Sequence, residues 1–177
     1  LIWMDTLILG FFLASEYVGI YNVAVPTAML VYIVPTTIRT IFYPVMTEEY
    51  AKNNSITGLF KSGTNLILFL SLPIAAFLAL FSKQFLSIFF GTDYVGGYIV
   101  LVIICLSYFI FGLSNTSNIM LYIKNKTKFV LFNSFVAVVL NVILNIILIS
   151  KYGLVGAAIA TGISVLVRGI LIISESW

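Results

Sequence analysis

FVLFNSFVAVVLNVILNIILISKYGLVGAAIATGISVLVRGILII, residues 129–173, decides the fold. Two apolar runs, Phe129–Ile149 and Leu154–Ile173, flank a short break, Ser150–Gly153, whose single charge is Lys151. Each run has the ~20 mostly apolar residues that a helix needs to cross a bilayer. Neither shows the period-2 alternation of a membrane β-strand. Working outward, Tyr98–Tyr122 is a third such run and Leu59–Phe81, with Pro73 inside, a fourth. Val23–Met46 is a fifth and carries Pro26, Pro35 and Pro44. Leu1–Ala14 is apolar except for Asp5 and Thr6, and reads as a helix that has lost its first turns to truncation. The expected fold is an all-α membrane protein with six transmembrane helices, over residues 1–14, 23–46, 59–81, 98–122, 129–149 and 154–173.

Composition agrees. Of 177 residues, 62% are apolar and only 8% charged, with a mean hydropathy of +1.16. A soluble domain is about 45–50% apolar and about 25% charged. A soluble enzyme or a disordered segment is therefore excluded. With no histidine there is no imidazole base, proton shuttle or His-ligated metal, and the single cysteine, Cys105, sits in an apolar run as an inert thiol. No cofactor is expected. A net charge of +3 is too small to suggest a nucleic-acid partner.

The connections carry unequal charge. Lys52, Lys61, Lys124, Lys126 and Lys128 fall on one side of the expected topology, Lys83 and Lys151 on the other. The positive-inside rule then places the Thr47–Ser62 and Ile123–Lys128 connections, and with them both chain ends, in the cytoplasm of a cell (plasma or inner) membrane protein. Tyr17, Tyr21, Tyr43, Tyr50, Tyr94, Tyr98, Tyr122 and Tyr152 cluster near the expected span ends and read as interfacial anchors.

Ionisable residues at membrane depth cost at least ~2.5 kcal/mol and call for a reason. Arg39 and Arg168 each lie about two turns from the cytoplasmic end of their helix. Either they snorkel to headgroups, or they form a cationic cavity for phosphate, a task that suits the planar multi-donor guanidinium. Asp5 reads either as a packing hydrogen bond, or a partner of Arg39, or as a coupling site for a proton or sodium ion. Asn133, Asn141 and Asn145 recur at multiples of four, and Asn115 and Asn118 sit three apart. Such amides bond helix to helix or line a path for a hydrophilic head group. Gly153, Gly156, Ala157, Ala160, Thr161 and Ser164 give the last helix a small-residue face for close packing. The prolines offer bends of the kind alternating access uses, or static curvature.

The stretches Asp5–Gly10 and Tyr17–Ala24, Phe42-Tyr43-Pro44-Val45-Met46, Phe89-Phe90-Gly91 with Tyr94, Asn141–Asn145 and Tyr152–Thr161 follow one another in an order that is familiar. Together they resemble the carboxy-terminal half of polysaccharide flippases of the O-antigen and teichuronic-acid type, in the multidrug/oligosaccharidyl-lipid/polysaccharide (MOP) exporter superfamily. The resemblance implies one lobe of a twelve-helix, MATE-like transporter, with the N-terminal lobe as its missing partner. It also implies a non-enzymatic flippase or exporter for polyprenyl-phosphate-linked oligosaccharide in cell-surface polysaccharide biosynthesis. Expected substrate contacts are Arg39, Arg168, Asn115, Asn118, Asn141 and Asn145, with Asp5 for ion coupling and the polyprenyl tail left in membrane lipid. The alternatives are a cation-coupled multidrug antiporter or a lipid-linked peptidoglycan precursor flippase of the same superfamily. From another class comes a non-transporting structural membrane subunit. An intramembrane enzyme lacks any paired carboxylates or Ser-base dyad.

Overall fold

Backbone polar groups in lipid must be satisfied within their own segment, so a chain this apolar folds as helices. The computed structural model describes residues 2–176. Its elements are α1 (Ile2–Phe12), α2 (Ser15–Ala28), α3 (Leu30–Ala51), α4 (Thr57–Leu80), α5 (Ser82–Phe90), a 3-10 turn (Thr92–Gly97), α6 (Tyr98–Leu113), α7 (Asn115–Ile123) and α8 (Thr127–Ser176). There is no strand among the described residues. Four helical runs are long and apolar enough to cross a bilayer: Ser15–Ala51, Thr57–Leu80, Thr92–Ile123 and Thr127–Ser176. This is an all-α, multi-pass membrane protein.

The last run is a hairpin. Gly153 has φ 55° and ψ −131°, outside helical space, a conformation that a residue without a β-carbon adopts without strain. Across it, Asn141 bonds Thr161, Asn133 bonds the Arg168 carbonyl, and Lys126 bonds Glu175. The partners recede in step on either side of the turn, so the two arms run antiparallel. Gly156 lets the return arm start close to the outgoing one: a β-carbon there would stand 2.1 Å from the Leu148 carbonyl oxygen.

Several boundaries differ from the sequence reading. Ser15–Asn22, expected as a connection, is the first half of α2. The proline-rich run is broken at Met29, one turn after Pro26, whereas Pro35 and Pro44 lie inside an unbroken α3. Ser82–Gly97, expected as a loop, folds as α5 and the 3-10 turn, and residues 52–56 alone separate α3 from α4. Pro35 packs on Gly112 of α6, where a β-carbon would stand 2.6 Å from the proline ring. Ser and Thr hydroxyls bonded to carbonyls one turn back, as in Thr40 to Thr36 and Ser164 to Ala160, keep polar side chains satisfied inside the helices.

Two faces emerge. Lys124 donates to the Ser176 carbonyl at 2.8 Å and Lys126 pairs with Glu175 at 2.6 Å, so the α7–α8 connection meets the end of α8. Ile56, between α3 and α4, packs with Met46 and Ile119 at that same end. At the other end Leu13 lies 3.9 Å from a β-carbon built on Gly153, and Glu16 and Asp93 share one cavity. The lysine-rich connections therefore lie on one face, as their charge pattern requires. The outside is apolar, with Phe69, Leu80 and Leu131 among its exposed residues, while Asp5, Asn141, Asn145 and Thr161 are inside. This is the arrangement lipid demands.

Candidate functional site

The hairpin creates the first site. Asn141 and Asn145, one turn apart, face Thr161 on the returning arm. Into this seam α1 inserts Asp5, and α2 adds Tyr21. Asn145 Nδ2 donates to Asp5 Oδ1 at 2.6 Å. Thr161 Oγ1 and Tyr21 OH donate to Asp5 Oδ2 at 2.6 and 3.0 Å. Asn141 Nδ2 donates to Thr161 Oγ1 at 3.1 Å. All five residues are fully buried. Three neutral donors thus hold the carboxylate, and among the described residues no cation pairs with it. The Oδ1 atoms of Asn141 and Asn145 have no partner. Of the alternatives read for Asp5 from sequence, the pair with Arg39 does not form among the described residues, and the packing hydrogen bonds do.

Arg39 lies elsewhere. It lines a cavity of about 570 Å³ with Thr36, Thr40, Tyr43 and Tyr122. Its guanidinium carbon stands 5.1 Å from the centre of the Tyr122 ring, and Tyr43 meets that ring edge-on at 6.4 Å. Cation–π contact worth ~0.5–2 kcal/mol holds the guanidinium from one side and does not spend its N–H donors. Arg39 makes no ion pair among the described residues.

Arg168 is half-buried on the return arm of α8, with its guanidinium carbon 5.4 Å from the Phe111 ring centre. Tyr32 stacks on the same ring at 5.5 Å. Its Nε is buried without a partner, and so are both amide atoms of Asn115 and the Oδ1 of Asn118. The two arginines therefore each rest on an aromatic ring of the α6–α7 run, but in different places.

Of the residues picked out from sequence, the structure joins Asp5, Asn141 and Asn145 and places Arg39 on an open cavity. Asn115 and Asn118 are buried in α7. Tyr21 and Tyr122, read as interfacial anchors, instead serve the carboxylate and the guanidinium. Thr161, read only as a small packing residue, links Asn141 to Asp5, which Asn145 reaches directly. Their spacing in sequence gave no such signal, because a fold-back at Gly153 brings residues 141 and 161 together.

A family model described as "Polysaccharide biosynthesis protein" matches residues 3–98, more than half of the chain. The chain belongs to this family of polysaccharide flippases in the MOP superfamily. The match includes Asp5 and Arg39. The chain is 28% identical over 171 residues to a probable low-salt glycan biosynthesis flippase, Agl15, of Haloferax volcanii, covering 96% of this chain and 36% of that protein. It is 28% identical over 176 residues to a probable flippase of the same organism, AglR, again covering 96% of this chain and 36% of the relative. The chain thus spans about a third of the length of these relatives. No solved structure matches it.

Proposed function

We propose that this chain is the carboxy-terminal six-helix lobe of a flippase that carries a polyprenyl-phosphate-linked glycan across the cell membrane. Both ends of the segment face the cytoplasm, where the lysine-rich face lies. The lobe works with an N-terminal lobe in a rocking, alternating-access motion. The observation that carries this reading is the Arg39 cavity: a guanidinium within a long apolar helical run, without an ion pair among the described residues, held on Tyr122 and flanked by hydroxyls. Its fork of donors fits phosphate oxygens, and an anionic ligand supplies the counter-charge that an arginine in an apolar run calls for. Arg168 supplies a second cationic contact; Asn115 and Asn118 keep unspent hydrogen-bonding atoms but lie buried within this lobe, out of reach of a glycan at its surface.

Asp5 serves coupling to a proton or a sodium ion. A buried carboxylate without a cationic partner favours taking up one of these. The hydroxyls of Thr161 and Tyr21 and the unpartnered amide oxygens of Asn141 and Asn145 are all oxygen donors, the set a hard cation selects. Asn141 and Asn145 are thereby assigned to the ion and not to the glycan. Asp5 is fully enclosed by side chains of this lobe, an environment that suits a proton or a small bare ion more than an organic cation.

The test is complementation of a host lacking its own polysaccharide flippase by the full-length parent, with surface glycan scored at matched expression. Arg39→Ala is expected to abolish surface glycan and Arg39→Lys to leave part of it, because lysine keeps the charge without the fork. Full activity of Arg39→Ala would make Arg39 a snorkelling anchor and remove the carrier site.

A further inference from the structure

Three cavities follow one another along α3 and across the break at Met29 to the end of α2. The Arg39 cavity is lined at its upper end by Thr36. Thr36 also lines a second cavity, of about 220 Å³, with Ile33, Leu30 and Pro26. Leu30 and Pro26 in turn line a third, of about 240 Å³, whose far wall is Phe85 and Phe89 of α5. Ten residues separate Thr36 from Pro26, a rise of about 15 Å along helical backbone. The groove thus changes character along its length: a guanidinium and hydroxyls at one end, aliphatic side chains in the middle, and an aromatic wall at the other.

We propose that this line of cavities is the docking groove for the isoprenoid chain of the carrier, with its phosphate at Arg39. The inference rests on the carrier reading above and deepens it. It departs from the expectation that the tail stays in bulk lipid. The argument is complementarity along one line. A phosphate-headed, long apolar chain has the same order of polarity as the groove, charged at one end and apolar for the rest. A protein surface packed on this face would have to supply its own anion for Arg39, while the carrier brings its anion with it; the Thr36 and Thr40 hydroxyls already donate to carbonyls one turn back. Leu30 and Ile33 are exposed, 43% and 56%, and supply the aliphatic stretch between the Arg39 cavity and the aromatic wall. An isoprenoid chain laid on them replaces lipid contacts with equivalent apolar ones, so the phosphate at Arg39 is what fixes the chain in this groove. Branched methyl groups suit the Phe85–Phe89 wall, whose rings stack at 4.5 Å and present an apolar face.

The experiment uses the full-length parent in nanodiscs and a tritiated prenyl monophosphate carrying benzophenone at its far end. Photolabelled peptides are mapped by mass spectrometry. The expected result is label between Pro26 of α2 and Ile33 of α3, or on Phe85 and Phe89. That label should be competed by unlabelled prenyl phosphate but weakly by the prenyl alcohol. Ile33→Trp, which fills the groove from an exposed position, should cut it about ten-fold. Phe132→Trp, exposed on α8, controls for added aromatic bulk. Label competed by prenyl phosphate but scattered over α4 and α8 would overturn the groove while leaving the Arg39 site standing. Label at the expected positions that neither prenyl phosphate nor Arg39→Ala reduces would mean bulk lipid occupies the groove, which also overturns the proposal. Disulfide capture of Ile33→Cys by another part of the parent chain, with no label at all, would make the face a contact between lobes. Failure of the parent to complement would instead strike the carrier reading itself.

Discussion

Replacing Asp5 by alanine deletes the acceptor of three hydrogen bonds inside a closed cluster. Tyr21, Asn145 and Thr161 are fully buried, so water does not replace the lost acceptor. Interhelical hydrogen bonds in membranes average ~0.6 kcal/mol and reach ~1.7, so three of them amount to about 2 to 5 kcal/mol. The loss falls on the contacts of α1 with α2 and with both arms of α8. Asp5→Asn should cost about 1 kcal/mol or less, because the amide keeps the shape and one acceptor, and the hydroxyls of Thr161 and Tyr21 both give and accept. The assay is reversible unfolding of the full-length parent in bicelles by steric trapping, with transport measured alongside. Stability should fall steeply for alanine and slightly for asparagine, while transport is lost in both, since neither side chain carries the charge that coupling needs. An alanine variant within about 0.5 kcal/mol of the native protein would refute the cluster as the anchor of α1. An asparagine variant as unstable as alanine would refute the hydrogen-bond account. Full transport by Asp5→Asn would remove the coupling role.

Gly156→Val should prevent the hairpin from closing, because its β-carbon meets the Leu148 carbonyl oxygen at 2.1 Å; the readout is the yield of monodisperse protein. Gly112→Ala should lower stability by about 1–3 kcal/mol through overpacking against Pro35, and Pro35→Ala in the same chain should recover most of that loss in a double-mutant cycle. Single cysteines at Asn53 and Asn125 should react with an impermeant thiol reagent from one side of sealed vesicles, and one at Lys151 from the other; labelling of Asn53 and Lys151 from the same side would contradict the topology. Glu175→Gln removes a half-exposed pair with Lys126 and should change stability by less than about 1 kcal/mol, measured by the same unfolding assay.

The apolar runs were legible because lipid leaves few options: about 20 apolar residues without alternation form a helix across the bilayer. The helix ends were less so. Ser15–Asn22 holds Glu16 and Asn22 and reads as a loop, yet a helix tolerates both where they reach its exposed side. Lys83 and Asp93 similarly hid α5 and the 3-10 turn. Arg39 and Asp5 stood out in sequence because charge at membrane depth is rare. What each charge meets was not legible, since it depends on rotations about helix axes and on one fold-back. Tyr21 and Tyr122 look alike as tyrosines near span ends; packing makes one a donor to a carboxylate and the other a platform for a guanidinium. Asn141 and Asn145 show a shared face at i and i+4, but that pattern does not say whether the face meets a cavity or another helix. The hairpin at Gly153 settles it by setting Thr161 opposite Asn141.

The central claim is that Arg39 binds the phosphate of a lipid-linked glycan during its passage across the membrane. The most direct measurement reconstitutes the full-length parent in liposomes loaded with a prenyl-diphosphate-linked sugar and follows its exposure on the opposite leaflet with an impermeant lectin. The account predicts protein-dependent exposure, slowed at least about ten-fold by Arg39→Ala and partly restored by Arg39→Lys. Exposure at the native rate with Arg39→Ala, in protein folded and incorporated to the same extent, would contradict it.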